Sequence, residues 1–277
     1  MKSMEKTKNM KKYEKIILMS DMDGTLLDSN CNVSGKNQQA IRRFVAEGGH
    51  FGVATGRSQM NVPPYLQNVE INTPCILYNG CALYDFSAGK FLALYKMTDE
   101  KVEEYLRFCL TEYKNVMVHV YTPEMNYIVS PEDRADPQIT LLHRPHVFCR
   151  IEDITGQPWI KILLSGKNDE LRAMENKIRD FGMEETVNWV FSSDIYLELL
   201  PPNVTKGSML SKLREIMGDG YRIYAVGDYN NDREMLLAAD VGIAVQNALP
   251  GIKDIADMIT VSNDESAIAD IIDHMMD

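Results

Sequence analysis

The sequence predicts an α/β protein, a parallel-sheet core with an α+β module inserted into it. Three observations carry that prediction. Ile16-Ile17-Leu18-Met19-Ser20 is an apolar run that reads as a buried parallel strand. Strand and helix patterns alternate through Gly80 and again after Pro201-Pro202, the rhythm of βαβ units. Between those stretches the rhythm breaks into several strands with only two helices, the pattern of a separate compact module.

The elements follow in order. Residues 1–14 are Lys-rich with no apolar core and read as a mobile N-terminal tail. After the opening strand, Ser34 is placed to cap a helix running to about Glu47, where Gly48-Gly49 stops it. His50 to Ala54 is the next strand, ending in Thr55-Gly56-Arg57-Ser58. A helix is expected near Ser58–Gln67, disturbed by Pro63-Pro64, and a strand over Cys75–Tyr78. Leu83 to Met97 reads as two short strands around Ser87-Ala88-Gly89. Thr98 is placed to cap an amphipathic helix to about Lys114. Val116–Tyr121, Met125–Val129, Trp159–Leu164, Val187–Ser192 and Ile195–Leu200 read as strands, and Asp169–Phe181 as a helix. Trp159 and Met183 read as core. Thr205-Lys206-Gly207 opens a helix to about Met217, Arg222–Val226 is a strand, and βα units recur to the end. The expected division is therefore a discontinuous core, 15–83 with 201–277, and an inserted module, 84–200.

Composition narrows the function classes. The 277 residues are 45% hydrophobic and 25% charged, ordinary for a soluble globular chain. The net charge of -11 argues against broad nucleic-acid or anionic-membrane binding, which need basic surfaces. Cys31, Cys75, Cys81, Cys109 and Cys149 are odd in number and lack CxxC spacing, so free thiols in a reducing compartment are expected. The Ile16–Met19 run is too short for a signal or membrane segment, which fits a cytoplasmic protein.

Polar residues punctuate three strand ends. Asp21 and Asp23 alternate to one side of an extended chain before Gly24 turns it away. Thr55 and Gly56 end the second strand, and Gly227-Asp228-Tyr229-Asn230-Asn231-Asp232 ends a later one. In one parallel sheet these converge at the carboxyl edge, where open α/β sheets bind ligands. Clustered carboxylates repel, and a hard cation such as Mg²⁺ resolves the repulsion. Lys206, at a helix start, adds a positive charge suited to a carboxylate and a phosphate oxygen. Thr55 and nearby N–H groups are neutral donors for other phosphate oxygens. Each piece alone is an ordinary turn or cap; their joint order is what points to chemistry.

Asp21-Met22-Asp23-Gly24-Thr25-Leu26-Leu27, Ala54-Thr55-Gly56-Arg57, Thr205-Lys206-Gly207 and Gly227-Asp228-Tyr229-Asn230-Asn231-Asp232 resemble the four motifs of the haloacid dehalogenase (HAD) superfamily. The insert between the second and third motifs, with Tyr78-Asn79-Gly80 and Val245-Gln246-Asn247-Ala248, is similar to its Cof-like phosphatase branch. The resemblance implies an HAD-like Rossmannoid core with an α/β cap domain. It implies Asp21 as nucleophile, forming an aspartyl-phosphate, and Asp23 as general acid and base. Mg²⁺ would be held by Asp21, the Asp23 backbone carbonyl and Asp228. Thr55, Gly56, Lys206 and Asn231 would bind phosphate, and Asp232 would support Lys206 or metal-bound water. Arg57, Asn79 and Gly80 are candidate substrate contacts, and His119, Tyr121, Arg144, His146 and Arg150 are cap candidates that read more readily as surface or packing residues. A second Asp at position 23 is the phosphatase version of the motif.

Two departures stand out. Asn203 replaces a Gly usual before the motif lysine, and Asn tolerates left-handed backbone. Asn263-Asp264-Glu265-Ser266-Ala267-Ile268 lacks the usual Gly-Val step. The function expected is a Mg²⁺-dependent phosphatase of small phosphorylated metabolites, sugar phosphates first and cofactor phosphates next. It is expected to be a monomer or small homo-oligomer. Alternatives are a phosphomutase on the same scaffold or a non-catalytic phosphometabolite sensor. A signalling receiver is too short to match, a dinucleotide-binding reading lacks GxGxxG, and a P-loop reading lacks the Gly-rich run.

Overall fold

The computed structural model describes residues 11–97, 100–134 and 146–276. Its first strand, β1 (Ile16–Ser20), is buried along its whole length, because its apolar residues face packed layers on both sides. Helix α1 (Gly35–Ala46) follows, capped by Ser34, whose side chain accepts the Asn37 N–H. Ala40, Ile41 and Phe44 form its buried face. Strand β2 (His50–Val53) then pairs parallel to β1. Residues 11–14 correct the expected tail. Tyr13 is buried against Phe44, and its hydroxyl donates to the Ile272 carbonyl at 3.0 Å. The tail residues 1–10 lie outside the described residues.

The helix expected near Ser58–Gln67 is absent. Only a single 3-10 turn, Pro63–Tyr65, forms there, because the adjacent prolines remove two of the N–H donors a helix would need. Strands β3 (Cys75–Leu77), β4 (Ala82–Asp85) and β5 (Lys90–Leu94) make an antiparallel sheet, joined to the central sheet through the Ala54–Ile76 bridge. β5 packs on the same core as β1, so the expected boundary at 83/84 falls inside this hairpin unit.

The inserted module contains α2 (Lys101–Glu112), β6 (Met117–Tyr121), β7 (Asn126–Ile128), β8 (Val147–Phe148), β9 (Lys161–Ser165), α3 (Asn168–Asp180), β10 (Asn188–Ser193) and β11 (Tyr196–Leu200). The expected cap at Thr98 lies outside the described residues. The sheet order is β10-β11-β9-β6-β7-β8, antiparallel except for β7 with β8. Its alternation decides its role. Val118, Val120, Ile162, Leu164, Leu197 and Leu199 face the two helices and form the cap's own core, with Trp159 and Met183. The intervening residues, among them Tyr121, Lys161, Leu163 and Glu198, belong to the opposite face. Tyr121 and Leu163 of that face pack into the main core.

After Leu200 the chain returns through α4 (Lys206–Met217), β12 (Arg222–Gly227), α5 (Arg233–Ala238), β13 (Val241–Ala244), α6 (Pro250–Lys253), β14 (Met258–Ile259) and α7 (Ala267–Asp270). The central sheet order is β14-β13-β12-β1-β2, all parallel. β1 lies between β2 and β12, where connections depart in opposite directions, and ligands bind at such switch points. Asn203 adopts φ 61, the left-handed backbone expected there. No helix among the described residues is long and apolar enough to cross a membrane.

Candidate active site

Asp21 follows β1 directly, its N–H bonded to the Val226 carbonyl of β12 at 2.9 Å. Lys206, the first residue of α4, reaches it from below. Its Nζ lies 2.6 Å from Asp21 Oδ1 and 2.7 Å from Asp232 Oδ1. Lys206 is wholly buried because α4 is pressed inward at its N-terminus. A Cβ on Gly207 would overlap the Glu234 carbonyl, and one on Gly80 would overlap the Thr205 carbonyl. Asp232 is also wholly buried, and its Oδ2 accepts the N–H groups of Asp228 and Tyr229 at 3.0 and 3.2 Å. Asp228 accepts from Thr25 Oγ1 at 2.9 Å.

Carboxylate oxygens of Asp21, Asp228 and Asp232 lie within 4.8 Å of one another. Burial pushes the Asp21 carboxyl well above the usual range despite Lys206, and Asp232, Asp228 and Asp23 add to the push. Burial, with Asp232, raises Asp228 to about 7. Burial works against the Lys206 ammonium, but Asp21 and Asp232 outweigh it and hold it above its ordinary value. One ammonium thus faces three carboxylates, a deficit of positive charge that a hard divalent cation fits. Asp232 is committed to Lys206 and two N–H groups, which leaves Asp21 and Asp228 as the carboxylates available to a metal.

Asp23 is half-exposed and takes a bidentate pair from Arg57, Nε to Oδ2 at 2.8 Å and Nη2 to Oδ1 at 2.6 Å. The Arg57 guanidinium stacks on Tyr65, 3.9 Å from the ring centre. Thr55 ends β2's run, buried, its Oγ1 accepting the Arg57 N–H at 3.2 Å. These groups and the facing cap sheet enclose a cleft of about 710 Å³. The cap contributes a buried ion pair, Lys161 Nζ to Glu198 Oε2 at 2.8 Å. Lys161 also donates to the Gly56 carbonyl at 2.7 Å, and Tyr229 Oη donates to Asp194 at 2.9 Å.

A family model for haloacid dehalogenase-like hydrolases matches residues 18–272. The chain belongs to that family. It is 28% identical to the 5-amino-6-(5-phospho-D-ribitylamino)uracil phosphatase YwtE of Bacillus subtilis (strain 168), over 92% of this chain and 96% of that protein. It is 27% identical to phosphatase YwpJ of the same organism, over 94% and 99%. A solved haloacid dehalogenase-like hydrolase from Bacteroides thetaiotaomicron superposes with a TM-score of 0.80 at 25% identity, over 95% of this chain and all of that one.

In this HAD-like hydrolase the fold brings Asp21, Asp23, Thr55, Gly56, Arg57, Asp228 and Asn231 to one cleft, with Lys206 and Asp232 directly beneath. It does not bring Asn79 and Gly80 there. Asn79 is 1% exposed with both ends of its amide engaged, and Gly80 is buried under the start of α4. The expectation of substrate contact at these two gives way to a structural one. In the cap, Tyr121 lines the cleft, whereas His119 is buried and bonded to Asn126. Exposed Arg150 pairs with Asp153 and borders a different cleft. His146 lines neither of these clefts, stacking edge-on against Phe148, and Arg144 lies outside the described residues. The altered last loop still reaches the first motif: Asn263 Nδ2 donates to the Leu27 carbonyl and Ser29 donates to Asp264. Sequence reasoning missed Lys161 and Glu198. Their one signal was a charge set singly inside each of two apolar strands, Ile160-Lys161-Ile162 and Leu197-Glu198-Leu199.

Proposed function

We propose that the chain is a Mg²⁺-dependent phosphatase of small phosphorylated metabolites, working through an aspartyl-phosphate on Asp21. The observation that carries this reading is the state of the Asp21 carboxylate. Lys206 fixes Oδ1, and no hydrogen bond from the described residues reaches Oδ2, so one oxygen is held and the other remains available for attack. Asp21 Oδ2 bonds to phosphorus as the ester oxygen leaves, and Asp23 gives that oxygen its proton. Asp23, now a carboxylate, takes a proton from water, which attacks phosphorus and breaks its bond to Asp21. In its pair with Arg57, Asp23 is an ionised acceptor; to serve the leaving oxygen it turns away from Arg57 and takes up a proton from solvent first, and Arg57 then faces the cleft with its charge free. Lys206, the Thr55 hydroxyl and the Asn231 amide hold phosphoryl oxygens. Mg²⁺, held by Asp21 and Asp228, supplies positive charge against the phosphoryl oxygens when bound.

The cap surface of the cleft supplies hydroxyl and carboxylate groups from Ser192, Ser193, Asp194 and Tyr196, suited to a hydroxylated leaving group. The relative YwtE is a phosphatase of 5-amino-6-(5-phospho-D-ribitylamino)uracil, a substrate with a phosphorylated ribityl chain. Sugar or polyol phosphates are therefore placed first, and cofactor phosphates second. The test is phosphate release from such a panel, with and without Mg²⁺, beside Asp21→Asn. Metal-dependent release that vanishes in Asp21→Asn is expected. Release that survives the substitution would remove Asp21 as nucleophile, and binding without release would make the chain a sensor.

A further inference from the structure

A hydrogen-bond path runs from the cap into the phosphate end of the cleft. Glu198, on β11 of the cap sheet, is 4% exposed, and its Oε1 accepts from Ser192 Oγ at 2.6 Å. Its Oε2 takes the Lys161 ammonium and, at 2.8 Å, the Asn79 Nδ2 of the core. Asn79 Oδ1 in turn accepts from Asn231 Nδ2 at 3.0 Å. The polarity of this path is fixed at one end. An ionised carboxylate only accepts, so Asn79 must turn its NH₂ toward Glu198 and its carbonyl toward Asn231. Asn231 must then present its NH₂ to Asn79, which sets the direction of its remaining N–H.

The local backbone is built for this contact. Asn79 sits at φ 55, and Gly56 has no side chain where a Cβ would lie 2.9 Å from Asn79 Nδ2. Lys161 bonds the Gly56 carbonyl from the cap side, so the phosphate-binding turn and Asn79 are held by one buried ion pair.

We infer that Glu198 and Asn79 are positioning residues, with Lys161 serving in this path only to neutralise the buried Glu198 carboxylate. They orient Asn231 toward the phosphoryl group only while the cap lies against the core. The inference rests on the phosphatase reading above. It makes the cap a part of the phosphate site as well as a cover over the leaving group. Opening the cap would separate Glu198 from Asn79 and release Asn231.

The test is the affinity for inorganic phosphate in saturating Mg²⁺, by titration calorimetry, in wild type, Asn79→Gly, Asn231→Ala and the double variant. Glycine keeps the left-handed backbone at position 79 and removes only the amide. Each single variant is expected to weaken phosphate binding about tenfold, near the loss of one hydrogen bond to a charged group. The double variant is expected to lose no more than either single one, because both lie on one path. The cap's part is read from two further variants that share Lys161→Met. Glu198→Gln keeps an acceptor for Asn79 and should bind within about threefold of wild type, while Glu198→Leu should match Asn79→Gly. Multiplying losses in the Asn79/Asn231 double variant, or equal binding by the Glu198→Gln and Glu198→Leu proteins, would overturn the relay. Wild type that binds phosphate, with all variants binding as well, would overturn the relay alone. Wild type without phosphate affinity would overturn the phosphatase reading and the relay with it.

Discussion

Lys206 touches both Asp21 and Asp232 and is closed to solvent, so each of the three depends on the other two. Lys206→Met leaves two buried carboxylates facing each other. Breaking a buried pair in this way costs about 3–5 kcal/mol. A denaturant titration of the metal-free protein should register a loss of that order. Asp23→Asn keeps the shape but removes the transferable proton. It should lower kcat on ordinary alkyl phosphates by about 10²–10⁴-fold, the usual worth of a positioned acid, in a steady-state assay. Asp228 adds a pH dependence. Its folded carboxyl titrates at about 7 against 3.8 for the free group, so the native state holds a proton that the unfolded chain has released. Metal-free stability contributed by this group is therefore full below 3.8 and lost as pH rises to about 7. A cation bound at Asp228 would replace the proton. The melting-temperature gain from saturating Mg²⁺ should be small at about pH 5 and larger above about pH 7, and Asp228→Asn should flatten that difference.

The elements bring these residues together by close backbone contact. α4 can deliver Lys206 only because Gly207 lies against the Glu234 carbonyl and Gly80 against the Thr205 carbonyl, the latter at φ 106. Gly207→Ala should push α4 outward, costing about 1–3 kcal/mol and lowering kcat as Lys206 withdraws from Asp21. Gly35→Ala, where a Cβ meets nothing within 4 Å, is the matched control and should change neither thermal melting nor rate. Most elements were legible because their signals are local. Ser34 and Thr205 cap the helices they precede, and apolar runs mark the buried strands. The segment after Arg57 was misread because the strand–helix alternation calls for a helix there, and Pro63-Pro64 reduce it to a single 3-10 turn. Tyr13 was misread for another reason. Its partners, Phe44 and Ile272, are distant in sequence, and a Lys-rich surrounding carries no trace of them.

For the whole molecule, the same division separates the half of the site that was legible from the half that was not. Asp21, Thr55 and Asp228 each end a strand, so a parallel sheet alone gathers them. Lys161 and Glu198 reach the cleft only because of which face of the cap sheet turns toward the core, a tertiary fact that alternation along one strand leaves open. For the same reason Asn79, which motif reasoning placed on substrate, is taken up by the cap's Glu198.

Covalent chemistry at Asp21 is the central claim, and its most direct test is a rapid quench of Asp23→Asn with radiolabelled p-nitrophenyl phosphate and Mg²⁺. Nitrophenol is a good enough leaving group to depart without an acid, while on the proposed mechanism hydrolysis of the phosphoenzyme still needs Asp23. A burst of nitrophenol stoichiometric with enzyme is expected, with the label on the peptide containing Asp21 and absent when Asp21→Asn is added. Steady nitrophenol release with no burst and no labelled protein, or a label on another residue, would contradict the assignment.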